Sequence, residues 1–70
     1  YKLSKKLSNN IRKLRFEASE MSQQTLAEKV GVTRQTIIAI EKDKYSPSLE
    51  VAFKISNEFD VALETVFNYK

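Results

Sequence analysis

The stretch Ser22–Lys42, SQQTLAEKVGVTRQTIIAIEK, decides how the rest of the chain is read. Ser22 stands just before a run with helical spacing, where its hydroxyl can accept a free backbone N–H of the first turn. Leu26, Ala27 and Val30 then recur on one helical face. Gly31 follows, a residue that enters the left-handed region with no Cβ penalty and so commonly ends helices. Thr33 is placed to cap a second helix, Arg34 to Lys42, whose inward face is Ile37 and Ile40. The outward stripe of that helix carries Arg34, Gln35, Ile38, Ala39 and Lys42.

The order of cap, apolar stripe, glycine turn, cap and donor pair reads as a helix-turn-helix over 22–42. Arg34 and Gln35 lie in the first turn of its second helix, the part that comes nearest to base edges when such a helix enters a major groove. An arginine can pair bidentately with guanine and a glutamine with adenine. Thr33 and Thr36 bring hydroxyl and methyl groups beside them, Thr36 within reach of a phosphate. Ile38 shares the outward stripe. It either touches a thymine methyl and sugar carbons, or packs sideways against the edge of the preceding helix.

Seventy residues make one domain with one modest core, too small for a second domain or a deep catalytic cleft. There is no Cys and no His, which removes disulfides, the usual zinc sites and the common nucleophile–base pairs. A lone glycine rules out a phosphate-cradling glycine-rich loop. The sequence therefore predicts no catalytic residue, no metal and no cofactor. It shows no small-molecule site, no membrane-spanning run and no signal peptide, and it predicts a cytoplasmic protein, nucleoid-associated when bound to DNA.

The formal net charge is +3, unevenly spread. Residues 1–44 hold ten Lys/Arg against five Asp/Glu, a net of +5, and residues 45–70 hold two against four, a net of −2. The basic half contains the donor-bearing helix, as an electrostatic footprint for nucleic acid requires.

Taken in order, residues 1–8 read as a basic arm (Lys2, Lys5, Lys6): a flexible segment, an expression remnant or a short strand. Residues 9–67 form the DNA-binding domain, and 68–70 a tail that either frays or pairs as a strand near Leu7. The first helix is expected over Asn9–Ala18, burying Ile11 and Leu14, with Phe16 packed at its edge. Ser19-Glu20 makes a turn, and Met21 can staple onto Leu26 across the Ser22 cap. Pro47 ends any helical run after Lys42, and Ser48 caps a fourth helix over Leu49–Phe59. Its apolar residues (Leu49, Ala52, Phe53, Ile55, Phe59) make it the expected central helix. A short fifth helix over Ala62–Phe67 buries Leu63, Val66 and Phe67 in part. The fold class is all-α: a compact five-helix domain with room for a short terminal β pairing.

The matching residues Ser22-Gln23, Leu26-Ala27, Val30-Gly31-Val32, Thr33 to Ile37, Ile40-Glu41 and Tyr45 to Leu49 resemble the lambda-repressor-like helix-turn-helix family. This is the Cro and phage-repressor, or xenobiotic-response-element, type, and the chain is similar to its short single-domain members. The resemblance covers about Ile11 to Phe67. It implies base readout from Thr33, Arg34, Gln35 and Ala39, an ion pair at positions matching Arg15 and Glu41, and glycine where Asp43 and Asp60 end helices here. Left-handed backbone is thus expected at both aspartates, since Asp enters that region more readily than most residues with a side chain. They would be held there by the packing of Tyr45 and Val61.

The expected phosphate contacts are Arg12, Gln23, Gln24, Thr36, Lys42, Lys44 and Tyr45, and the expected base contacts Thr33, Arg34, Gln35, Ile38 and Ala39. Leu63, Val66, Phe67 and Tyr69 form an apolar C-terminal end, the expected interface of a homodimer. The function expected is a transcriptional regulator, a repressor on a pseudo-palindromic operator of double-stranded DNA, with the third helix in the major groove. The competing reading is an antitoxin or controller that uses the same fold to hold another protein.

Overall fold

Three side chains start three helices in the computed structural model, which describes residues 6–69. Ser22, Thr33 and Ser48 each accept the backbone N–H three residues on, at Thr25, Thr36 and Val51. Each such cap contributes about 1 kcal/mol. The helices they open are α2 (Gln23–Val30), α3 (Arg34–Glu41) and α4 (Leu49–Glu58). Before them come β1 (Leu7–Asn9) and α1 (Ile11–Glu17), and after them α5 (Leu63–Val66) and β2 (Phe67–Tyr69).

The two strands pair antiparallel, Leu7 with Tyr69 and Asn9 with Phe67. The expected terminal pairing is therefore present, and it changes the ends of the chain. Leu7 and Ser8, read as arm, are strand, as are Asn68 and Tyr69, read as tail. Residues 1–5 and 70 lie outside the described residues, Lys2 and Lys5 among them. Helix one starts two residues later than expected, because Asn9 belongs to β1 and its Oδ1 accepts the Ile11 N–H at 3.1 Å. Phe67 leaves the fifth helix for β2.

The core is Ile11 from α1, Leu26, Ala27 and Val30 from α2, Ile37 and Ile40 from α3, Ile55 from α4 and Val66 from α5. Full burial of each large aliphatic side chain is worth about 1.5–3 kcal/mol. Packing runs through α2, which meets α3 and α4, and through α4, which also meets α5. Three apolar residues expected inside are not there. Phe16 is 68% exposed instead of packed at the edge of α1, and Leu49 and Phe53 of α4 are 68% and 48% exposed. One face of α4 fills the core with Ala52, Ile55 and Ser56, which leaves the Leu49/Phe53 stripe, one turn apart, on the outside.

Four turns use left-handed backbone. Gly31 ends α2 at φ 80°, and Asp43 and Asp60, as expected, have φ 60° and 56°. Both aspartates sit in a Schellman motif: Asp43 N–H reaches Ile40 O and Lys44 N–H reaches Ala39 O, with Asp60 N–H to Asn57 O and Val61 N–H to Ser56 O as the counterpart. Val61 packs on the core as expected, but Tyr45 is 55% exposed and does not hold Asp43. The fourth turn is different. Ser19 and Glu20 are both left-handed, at φ 60° and 58°, in a corner with no glycine. There Met21 N–H bonds to Arg15 O at 2.8 Å, and Arg15 Nη1 donates to Met21 O at 2.8 Å.

Candidate nucleic-acid interface

The outward stripe of α3 becomes one wall of a groove of about 620 Å³. Arg34, Ile38 and Lys42, one turn apart in series, line that wall. The opposite walls are Arg12 of α1 and the start of α2, from Ser22 to Gln24. Arg34, Gln24, Lys42 and Arg12 are exposed, so three cations and an amide surround the opening. The first N–H groups of α2 also face an end of the helix where the backbone dipole favours an anion.

The floor of the groove is a buried polar knot. Arg15 Nε donates to Glu41 Oε2 at 2.6 Å and Nη2 to Oε1 at 3.1 Å, a bidentate pair with side chains only 14% and 9% exposed. Gln23 Nε2 donates to the same Oε1 at 3.1 Å. The expected Arg15–Glu41 pair is present, and its carboxylate joins α1, α3 and the start of α2. It is also neutralised by that pairing, so it does not oppose an incoming anion. The knot redirects one residue: the side chain of Gln23 turns down onto Glu41, whereas Gln24 stays exposed with its amide on Glu28 Oε2 at 2.9 Å.

Of the twelve residues expected at DNA, the groove gathers Arg12, Gln23, Gln24, Arg34, Ile38 and Lys42. The other six lie outside its lining. Gln35 and Ala39 form the next stripe round α3, Gln35 exposed and Ala39 half-buried. Thr33 and Thr36 share a hydroxyl–hydroxyl bond of 3.0 Å at the start of the helix. Lys44 and Tyr45 are exposed in the turn after it.

At the expected interface, Tyr69 is 67% exposed and Leu63 and Phe67 are half-buried, but Val66 is fully buried. Val66 is a core residue of its own domain and offers no surface. The reading of the sequence also missed Asn9. Its Nδ2 donates to Ile40 O at 2.8 Å and to Asp43 Oδ1 at 3.1 Å, across more than thirty residues of chain. No local pattern announces such a bond.

Two short helices joined through a left-handed glycine, with the second walling a basic groove, define a helix-turn-helix domain. The comparisons agree. The helix-turn-helix family profile matches residues 11–66. An uncharacterized HTH-type transcriptional regulator of Methanocaldococcus jannaschii is 58% identical over 50 residues, covering 71% of this chain and 76% of that one. Another, from Bacillus subtilis, is 48% identical over 61 residues, 87% of this chain and 91% of its own. A solved structure from Bacteroides fragilis, named provisionally as a DNA-binding protein, superposes with a TM-score of 0.77 at 26% identity, over 89% of this chain and 98% of that one. The chain belongs to the helix-turn-helix family of the Cro/C1 type and is not an enzyme.

Proposed function

We propose that the protein is a sequence-specific regulator of transcription that binds double-stranded DNA as a homodimer, with α3 in the major groove, and acts as a repressor. The observation that carries this reading is the groove itself: an exposed arginine and lysine on α3 face an arginine on α1, over a carboxylate already paired. Arg34 reads guanine and Gln35 adenine, with Thr33, Ile38 and Ala39 against neighbouring base edges and methyl groups. Arg12, Gln24, Thr36, Lys42, Lys44 and Tyr45 take phosphates, and Gln23 serves by holding Glu41 and by its backbone N–H.

One domain of this size covers little DNA, and two copies bring affinity into the usual range for specific binding. Leu63, Phe67 and Tyr69 supply apolar surface for an isologous pairing, and the exposed Leu49 and Phe53 of α4 add to it. Such a dimer sets the two α3 helices about 34 Å apart, one turn of DNA. Occupying a promoter without further chemistry is repression in its simplest form.

The test is selection of binding sites from a randomised duplex library, followed by sedimentation of the free and DNA-bound protein. The expected result is an enriched pseudo-palindrome with half-sites one turn apart, bound by two chains. Failure to enrich any motif would overturn sequence-specific binding. A monomer at high concentration, both free and on DNA, would overturn the homodimer.

A further inference from the structure

The turn that follows α3 is fastened by a side chain from outside the helix-turn-helix. Asn9, in β1, makes three side-chain hydrogen bonds, two to the end of α3 and the turn after it and one to α1. Its Nδ2 donates to the carbonyl of Ile40 at 2.8 Å and to the carboxylate of Asp43 at 3.1 Å. Its Oδ1 accepts the first N–H of α1 at 3.1 Å. The strand that carries it is itself paired, Asn9 opposite Phe67.

We propose that Asn9 is a positioning residue for the DNA-binding surface: it holds the turn after α3 so that Lys42, Lys44 and Tyr45 face phosphate while the Asp43 carboxylate does not. The proposal rests on the reading that this face binds DNA. Three observations carry it. Asp43 is the one carboxylate within the run from Lys42 to Tyr45, so its direction decides whether that run attracts or repels an anion. Its backbone is left-handed, at φ 60°, a conformation with a cost that the surroundings must offset. Asn9 meets that cost directly, by engaging the carboxylate and the Ile40 carbonyl that also accepts the Asp43 N–H.

The contact also borders a hollow of about 20 Å³, closed by Leu7, Tyr45, Pro47 and Phe67, with room for no more than one water molecule. The bond to the Ile40 carbonyl is part-buried beside this hollow, whereas the bond to the Asp43 carboxylate is exposed to solvent. Asp60 provides the contrast. It has the same Schellman geometry and φ 56°, but it lies at the far end of α4, away from the proposed DNA face.

The experiment measures binding of a random-sequence 20-base-pair duplex by fluorescence anisotropy over a range of salt, for the wild type, Asn9→Ala, Asp43→Ala and the double variant. A random duplex suffices because the residues concerned contact phosphate. Asn9→Ala is expected to weaken binding about 3–10-fold and to lower the salt slope by about one phosphate contact. In the Asp43→Ala background the same substitution is expected to do markedly less, because the carboxylate it frees is gone. A purely structural loss of the Asn9–Asp43 bond would also depend on that background, but it has no reason to change the salt slope, so the slope is the deciding readout.

Asn9→Asp guards against failure of the alanine variant to fold. It retains an acceptor for Ile11 N–H but sets a second carboxylate against Asp43, so it is expected to weaken binding more than Asn9→Ala. Amide exchange is expected to quicken at Asp43 and Lys44 in the Asn9 variants while that of Leu26 and Ile55 holds. Equal effects of Asn9→Ala in both backgrounds, or an unchanged salt slope, overturn the proposal while leaving DNA binding intact. No binding of any duplex by the wild type at low salt overturns DNA binding and the positioning role together.

Discussion

At its N-terminal end α3 is fixed by one short side chain, Thr33, whose hydroxyl accepts the Thr36 N–H and meets the Thr36 hydroxyl. At its C-terminal end it is fixed by Glu41, bound to Arg15 and Gln23, and by Asn9, bound to the Ile40 carbonyl and Asp43. Both ends share the apolar core, but in polar side-chain bonds the end nearest the proposed base contacts has one fastening and the far end two. Arg34 and Gln35 gain by this, because side chains that read bases must adjust to the groove, whereas the axis of the helix must not. Anchoring one end fixes the axis and leaves the reading end its rotamers.

Six substitutions, in four comparisons, test that difference, in order of expected effect. Glu41→Ala leaves the Arg15 guanidinium largely buried and unpaired, so it is expected to cost about 3–5 kcal/mol in urea unfolding. A loss below 1 kcal/mol would show that the knot is not what anchors the far end. Arg34→Ala, at the reading end, is expected to leave stability nearly unchanged while costing about 1–3 kcal/mol of binding and relaxing preference at one base pair. Lys44→Ala serves as its comparison and is expected to weaken all sequences alike with a flatter salt dependence. Matching behaviour of the two on selected and random duplexes would erase the distinction between the ends.

Thr33→Ala removes the polar cap of the reading end and is expected to cost about 1 kcal/mol, seen as a lower urea midpoint. The smallest effect is the most specific. Asp60→Gly relieves left-handed strain and is expected to stabilise by about 0.5–1 kcal/mol, since relief outweighs the added freedom of the unfolded chain. Asp43→Gly relieves the same strain but loses the Asn9 bond, so its gain should be smaller by roughly 0.5–1.5 kcal/mol. Because Asn9 already turns that carboxylate from the phosphates, removing its charge should strengthen DNA binding only slightly. Equal stabilisation at both sites would mean that the Asn9–Asp43 contact contributes nothing to folding.

What could be read from the sequence was local chemistry. Ser22, Thr33 and Ser48 cap because each bonds within three residues, and Asp43 and Asp60 stand where a helix needs a left-handed stop. Even the Arg15–Glu41 pair was legible, although that step leaned on resemblance as well as on helical spacing. What escaped was decided by distant partners or by competition for space. Leu49 and Phe53 looked like core because they are apolar, but α4 has one face to bury and Ile55 and Ala52 occupy it.

Val66, expected to be buried in part and to share the dimer interface, is wholly buried; a four-residue helix gives too little periodicity to assign a face. The Ser19–Glu20 corner carries no glycine or asparagine to mark it. Its conformation goes with the two bonds that close the corner, Met21 N–H to Arg15 O and Arg15 Nη1 to Met21 O, and neither is marked locally. For the site, the groove wall of Arg34, Ile38 and Lys42 was legible as a stripe, and the downward turn of Gln23 was not, since it depends on where Glu41 lies.

The pairing of β1 with β2 has a mechanical consequence. Because the strands are antiparallel and Leu7 lies opposite Tyr69, a pull that separates the two ends of the domain loads the ladder one rung at a time, from Leu7 toward Asn9. A ladder opened in this direction resists far less than one sheared along its length, since each bond bears the force alone. The last strand pair is Asn9 with Phe67; the Asn9 amide also holds the Ile40 carbonyl and Asp43, and beyond it Asn10 N–H still reaches Val66 O at 2.8 Å. Tension that opens the ladder therefore loads two places at once: the tail of α3 through the Asn9 amide, and the core through Ile11 and Val66, which adjoin the two strands in the chain.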